Sequence, residues 1–365
     1  MENTLNLTRE LYNCALQERI GAWKERQISL NYYSQANQLA SLKESRTEFQ
    51  NIHSQILQDV LKRLDKTFKA FFARIKKGEK AGFPRFKGKS FFDSFCFPQS
   101  GFKLVGDKLT LSKIGSMQIR LSREIAGKIK TCTIKREVDG WYVIFTTETE
   151  KQLLEKTGES VGIDVGLENF VTLSNGEQIE NPRFLRQSES RLKTAQRAVS
   201  RKKKGSNCRR RAVRLLRKQH LKITRQRQDF CHKTANNLVA RFDEIAVEEL
   251  QIRKMLKNHH LAKSIADASW GNFLQTLENK AENAGKRVWK VNPNGTSQTC
   301  ICGETVKKTL AVRRHQCQTC GLSLHRDIVS AKVILKRAVG QTAETLTYGI
   351  SHSVVSESPS IIASI

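Results

Sequence analysis

The sequence predicts an α+β protein of several domains, and three observations predict it. Apolar residues recur at helical spacing through the first 80 positions, and short alternating runs divided by turn residues fill the next 80. Strand patterns and long helical patterns then share the remainder. The chain has 365 residues, enough for two or three cores. Its formal net charge is +29, from 64 Lys+Arg against 35 Asp+Glu. An excess that large points to a polyanionic partner. No apolar run of about 18 residues exists and no signal peptide opens the chain, so nucleic acid is favoured over a membrane.

Residues 1–80 read as a helical region. Leu11, Ala15, Ile20 and Trp23 lie at helical spacing, as do Ile52, Ile56, Leu57, Val60, Leu61 and Leu64, followed by Phe68, Phe71 and Phe72. Lys62, Lys66, Lys69 and Arg74 interleave with these aromatics. A solvated face over a core stripe explains most of them singly; collectively they make a basic face able to line a nucleic-acid channel. Gly82-Phe83-Pro84-Arg85-Phe86-Lys87 breaks the helix, and residues 81–159 read as a β-rich domain ending in a linker, Lys151 to Glu159. Its strands are Lys103–Val105, Lys108–Leu111, Met117–Leu121, Lys130–Arg136 and Trp141–Thr147, a spacing that suggests a small β-barrel or sandwich.

A new domain spans residues 160–295 in its first part. In Ser160-Val161-Gly162-Ile163-Asp164-Val165-Gly166, period two puts Val161, Ile163 and Val165 on one face and Gly162, Asp164 and Gly166 on the other. An acid between two glycines suggests an uncrowded sheet face where a metal and a phosphate backbone could approach. Phe170–Leu173, the Asn175-Gly176 turn and Glu177–Ile179 read as a hairpin. Residues 183 to 240 are helical and intensely basic, broken at Gly205-Ser206. Arg201, Lys202, Lys203, Lys204, Arg209, Arg210, Arg211 and Arg214 flank that break, and their mutual repulsion favours contact with a phosphate backbone. Glu244–Leu250 reads as a second strand, with Ala246 and Glu248 on one face. Trp270, Phe273, Leu274, Leu277 and Ala281 mark a helix capped by Gly285, and Arg287–Val291 is a third strand.

Residues 296–325 carry Cys300, Cys302, Cys317 and Cys320, two close pairs about fifteen residues apart, each pair followed by a glycine. That pattern fits a zinc ribbon, although the first pair is Cys-x-Cys, which leaves His315 as a possible substitute ligand. The other five cysteines are scattered without pairing logic, as in a reduced intracellular protein. Asp327 opens a helix over 326–340, and residues 341–365 read as a disordered tail rich in Ser and Thr. Asp164, Glu248 and Asp327 each have an ordinary explanation as a turn former, a surface acid and a helix N-cap. Their order along the chain resembles that of the acids in RNase H-like nucleases, where carboxylates hold hard divalent ions.

Taken together, these stretches resemble the TnpB family of RNA-guided, transposase-associated nucleases encoded by bacterial insertion sequences. The matching motifs are Gly162–Gly166, Val247-Glu248-Glu249-Leu250, Thr296–Cys300, Cys317–Gly321 and Arg326-Asp327, with Tyr12-Asn13 and Gly82–Lys87 nearer the start. The resemblance implies a recognition-like helical region, a wedge domain, and an RNase H-like (RuvC) domain with the zinc ribbon inserted. It implies Asp164, Glu248 and Asp327 as ligands of Mg²⁺ (or Mn²⁺), Zn²⁺ on the four cysteines, and Arg85 and Lys87 beside the basic hairpin in nucleic-acid contact. Its partners would be a guide RNA from the element's own end and a double-stranded DNA target, in the bacterial cytoplasm at the nucleoid. The alternative is a non-cleaving DNA- or RNA-binding relative. Only eleven residues precede Tyr12, one strand short of the family's opening.

Overall fold

The computed structural model describes residues 1–151, 153–309, 312–345 and 361–364, with side chains as far as 340 and, in the last stretch, at Ala363. The chain divides into two units, Met1–Glu150 with Glu357–Ile365, and Lys151–Ser356.

In the first unit the N-terminal run is several helices rather than one. These are α1 (Glu2–Arg26), α2 (Tyr32–Ala36), α3 (Leu39–Ser45) and α4 (Ser54–Lys76), with a 3-10 turn at Thr47–Asn51. Gln27 takes a left-handed φ of 54° and ends α1, its N–H and that of Ile28 returning to the carbonyls of Trp23 and Ala22. Asn31 starts α2 by accepting the Ser34 N–H at 3.0 Å. Ile56, Leu57, Val60, Leu61 and Leu64 form one buried stripe on α4 and share a core with Leu5, Leu11 and Leu16 of α1.

That same core takes in Phe95, Phe97, Leu109, Cys132, Ile134, Val143 and Phe145, so the helical and β-rich regions are one hydrophobic body, not two. Its strands are β1 (Ser94–Phe97), β2 (Phe102–Val105), β3 (Lys108–Leu111), β4 (Gly115–Gln118), β5 (Arg120–Leu121), β6 (Lys128–Arg136) and β7 (Trp141–Glu148). Of the expected barrel or sandwich, the strands form two separate sheets. The strand Ile361–Ser364, the last in the chain (β15), enters one of them, in the order β1-β6-β7-β15-β5; the other is a β2-β3-β4 meander. The chain crosses between them at Ile119, whose N–H bonds the Asp107 carbonyl at 2.8 Å. β15 corrects the expected tail, since residues 361–364 lie antiparallel to both β7 and β5 and bury Ala363. Residues 346–360 of that tail lie outside the described residues.

The second unit is built on the sheet β10-β9-β8-β11-β12. β8 (Ser160–Val165), β9 (Asn169–Leu173) and β10 (Gln178–Glu180) form an antiparallel meander; β11 (Glu244–Glu248) and β12 (Arg287–Val291) add parallel to β8. Parallel pairing needs long crossovers. The first is α5 (Phe184–Ser200) and α6 (Asn207–Arg241); the second is α7 (Ile252–Met255), α8 (Ala262–Ala268) and α9 (Trp270–Asn283). Ser206 ends the break between α5 and α6 by accepting the Arg209 N–H at 3.1 Å. β13 (Arg314–Gln316) and β14 (Ser323–His325) make a small hairpin. α10 (Arg326–Thr345) follows at once and runs five residues past the expected helix end.

Residues 151–159, read as a linker, are tied down where described. Asp243 accepts the N–H groups of Thr157 at 3.0 Å and Gly158 at 2.7 Å, and Lys286 donates to both Asp243 and the Glu155 carbonyl. The Lys286 ammonium, with those amides, holds the Asp243 carboxyl well below the usual carboxylate range. A depressed acid stabilises the fold above its unfolded pKa, and that contribution is lost as pH falls toward the folded one. Asp243→Asn is therefore expected to flatten the acid limb of stability against pH, as read by thermal melts.

The sheet has one helical layer on each face. Val161, Ile163, Ile245 and Val247 point into a core with Ala235, Leu238, Phe273 and Leu277 of α6 and α9. Ala246 and Val291 point the other way, toward Ile334 and Ala338 of α10. Gly162 makes that second contact possible: a Cβ there would lie 2.0 Å from the Ala331 carbonyl oxygen and 2.9 Å from the Leu335 Cβ. The face expected to stay open for a ligand is thus filled by a helix at Gly162. Gly162→Ala is expected to cost about 1–3 kcal/mol or more, seen as a lower melting midpoint, because backbone must move.

Candidate active site and metal centre

The two-residue period of the strands decides which acids meet. Asp164 shares the Gly162 face of β8, and Glu248 shares the Ala246 face of β11, so both point toward α10. Ile163 pairs with Val247 in parallel register, which sets Asp164 and Glu248 side by side on neighbouring strands. Asp327 sits in the first turn of α10, its N–H donating to His325 Nδ1 at 3.3 Å. Glu249 is exposed, and its N–H is spent on the Val291 carbonyl at 2.9 Å.

Burial, then the charges of Glu248 and Asp327, push the Asp164 carboxyl well above the carboxylate range, with Arg326 opposing them. Three acids at one sheet end, two of which raise the proton affinity of the third, suit a bound cation, which removes the repulsion. They are set more widely than the cysteines below: among the described residues, only the cysteines place all their ligand atoms within 4.8 Å of one another.

Two further residues address Glu248, and sequence reasoning did not assign them this role. The buried Thr296 hydroxyl donates to Glu248 Oε1. Arg337 of α10 donates to the carbonyls of Asn292 and Asn294, both at 2.8 Å, fixing the loop that carries Thr296. Burial raises the Glu248 carboxyl, while Thr296 and the Arg337 charge lower it. Thr296 opens the Thr296–Cys300 motif, so its identity was visible but its partner was not. Thr296→Val is expected to raise the proton affinity of the Glu248 carboxyl, as read by NMR titration, with Thr296→Ser keeping it close to the parent's.

The four cysteines close on one point. Cys300 and Cys320 sulfurs are 3.6 Å apart, and Cys302 and Cys317 are 3.7 Å apart. Tetrahedral thiolates about 2.3 Å from a zinc ion would stand roughly 3.8 Å from one another, so this donor set fits zinc. Cys-x-Cys reaches because Gly303, at φ 103°, turns its N–H back to the Cys300 carbonyl at 2.9 Å. Gly321 does the same for Cys317 at 3.0 Å. Backbone N–H groups, that of Cys320 first, lower the Cys317 thiol to about 6, whereas burial pushes Cys300 up to about 12. His315 is fully buried against Lys308 and is not in the cluster.

The basic residues separate by role. Arg201, Lys202, Lys203 and Lys204 are exposed in the α5–α6 turn, as are Arg210, Arg211 and Arg214 on α6. Arg209 instead donates to the carbonyls of Val199 at 2.7 Å and Lys202 at 3.1 Å, closing the end of α5. Arg85 is exposed, and Lys87 places its ammonium 5.9 Å from the Tyr12 ring centre. Close after Asp164, a cavity of about 470 Å³ is lined by Leu167, Arg183, Arg186, Asp267 and Arg313. Asp267 is committed there, accepting from Arg227 at 2.7 Å and from the Leu185 N–H at 2.9 Å.

This is a basic protein in which a mixed sheet gathers three acids beside a four-cysteine knot, and its sequence matches transposon-encoded proteins. A family model described as "Probable transposase" (OrfB_IS605) matches residues 144–259, and one described as "Cas12f1-like, TNB domain" matches residues 270–334. A Streptomyces pristinaespiralis protein named "Putative RNA-guided DNA endonuclease" is 34% identical over 353 residues, covering 94% of this chain and 86% of that protein. "Putative RNA-guided DNA endonuclease InsQ" of Escherichia coli (strain K12) is 32% identical, covering 77% and 74%. The chain belongs to the TnpB family. A solved Cas12f1–sgRNA–target DNA complex has a TM-score of 0.38 at 15% identity, covering 92% of this chain and 93% of that one. No helix among the described residues is long and apolar enough to cross a membrane.

Proposed function

We propose that this protein is an RNA-guided, metal-dependent DNA endonuclease of a bacterial insertion sequence. The observation that carries the reading is the placing of Asp164 and Glu248 on one face of the sheet with Asp327 at the start of the helix packed on it, both Glu248 and Asp327 within electrostatic reach of Asp164 in a chain of net charge +29. Two curated relatives that bear RNA-guided endonuclease names, each aligned over most of its length, support it. So do the strand order and directions, three antiparallel strands followed by two parallel additions, which suit an RNase H-like (RuvC) domain.

Asp164, Glu248 and Asp327 would hold Mg²⁺ or Mn²⁺, which supplies an activated water and stabilises the leaving 3′ oxygen. Thr296 and Arg337 fix the Glu248 carboxylate against its own repulsion from Asp164. The exposed arginines and lysines of the α5–α6 turn neutralise phosphates, and base pairing with the RNA supplies target sequence. The zinc-type ribbon of residues 296–325 ends at α10 and steadies Asp327: the Arg326 N–H bonds the Arg313 carbonyl at 2.7 Å.

Sequencing the RNA that copurifies with the protein, then challenging the complex with plasmid DNA matching that guide in Mg²⁺, tests the reading. Guide-dependent double-strand cleavage is the expected result. Purified protein that carries no RNA, or binds RNA and never cuts matched DNA, favours the non-cleaving alternative.

A further inference from the structure

The strongest unassigned feature lies in the first unit, where α4 ends. Phe68, Phe71 and Phe72 project from its last turns, and Phe83 folds back over them. The rings meet edge to face, Phe71–Phe83 at 5.4 Å and Phe71–Phe72 at 5.2 Å between centroids. Such a quartet belongs in a core, yet Phe72 is 59% exposed, Phe83 49% and Phe86 54%. Exposed aromatics this concentrated mark a binding surface.

The surface is fixed in place. Asn13 of α1 clamps Lys87 with two hydrogen bonds, its Nδ2 donating to the Lys87 carbonyl at 3.0 Å and its Oδ1 accepting the Lys87 N–H at 2.7 Å. Pro84 is buried between them and the quartet in sequence, so Arg85 and Phe86 stand outward on a segment held at both ends. This clamp also gives a physical reason for the Tyr12-Asn13 and Gly82–Lys87 motifs, which the acid site does not use. Residues 65–90 hold nine Lys or Arg against two acids.

We infer that this surface stacks unpaired bases of RNA. Aromatic faces next to cations are the sequence-tolerant way to hold single-stranded nucleic acid. Folded RNA offers unstacked loop bases to such faces, whereas duplex DNA keeps its bases paired and stacked. Charge complementarity favours this occupant over a second copy of the chain, which would bring the same positive charge to the interface. Phe86 and Phe72 supply the faces, and Arg85 supplies the phosphate contact.

The inference rests on the RNA-binding part of the proposed function, and the test separates the two. The full-length protein with its copurified RNA is cross-linked by ultraviolet light, and ribonucleotide adducts are mapped by peptide mass spectrometry. Adducts are expected on peptides containing Phe72, Phe83 or Phe86. Phe86→Ala is expected to weaken binding of that RNA about tenfold, and Phe86→Trp to restore it. Phe72→Ala provides a second variant of an exposed ring, with the same loss expected. Adducts confined to other peptides, with both alanine variants binding as before, overturn the inference and leave the proposed function standing. Deoxynucleotide adducts alone, or a concentration-dependent dimer lost in Phe72→Ala while RNA binding is unchanged, also overturn it. Protein free of RNA would instead remove the reading beneath it.

Discussion

Asp164→Ala is expected to lower guided cleavage of matched DNA by about a thousandfold or more while RNA binding is retained. The size follows from what the carboxylate does. Metal-held charge is worth several kcal/mol of transition-state stabilisation, and each 1.36 kcal/mol is about tenfold in rate. Asp164 is the middle acid of the three, the one whose proton affinity both others raise. Removing it takes away a carboxylate that no neighbour on β8 can replace, since Val165 and Ile163 are apolar and face the opposite way. RNA affinity should survive, because the exposed basic residues of 201–214 are elsewhere on the unit. A variant that cuts as well as the parent, under the same Mg²⁺, would reject the site. Glu249→Ala serves as the contrast, with cleavage close to the parent's.

The second large effect is expected from denying the cysteine cluster the zinc ion that its four thiols fit. The described residues of 296–325 hold two three-residue strands and one isolated bridge, too little to bury a core of their own. Zinc bound there would supply the folding free energy, roughly 10 kcal/mol for four thiolates. Cys317→Ser, or a strong chelator, is expected to abolish stoichiometric zinc by elemental analysis and to open amide exchange across the ribbon. Cleavage should fall as well, because Arg326 and Asp327 follow β14 without a gap. Full protection of the ribbon amides in metal-free protein would contradict this account.

The sheet acids were legible in the sequence for a plain reason. Strand period puts Asp164 opposite Val165 in facing, and Glu248 with Ala246, each on the less apolar side of its own strand; the parallel pairing of Ile163 with Val247 makes those two sides one. The cysteine pairs were equally local, with a glycine after each pair. What was not legible depends on register between distant segments. Thr296 reaches Glu248 only because β12 pairs with β11 and the following loop is pinned by Arg337, 41 residues later. Arg209 looked like a phosphate contact by charge, yet the turn at Gly205-Ser206 brings it back onto the carbonyls that end α5. Gly162 was read as space for a ligand, whereas the helix bearing Asp327 uses that space to approach the strand bearing Asp164. The strands β1, β13, β14 and β15 have three or four residues each and no alternation long enough to read; partners define them.

The direct test of the acid site is to locate the ions. Crystals of the protein with its RNA, grown in Mn²⁺ and measured at the manganese absorption edge, should show anomalous density among the Asp164, Glu248 and Asp327 carboxylates. Ligand distances of about 2.0–2.2 Å are expected. Manganese bound elsewhere on the chain, with that position empty at saturating metal, would contradict the account.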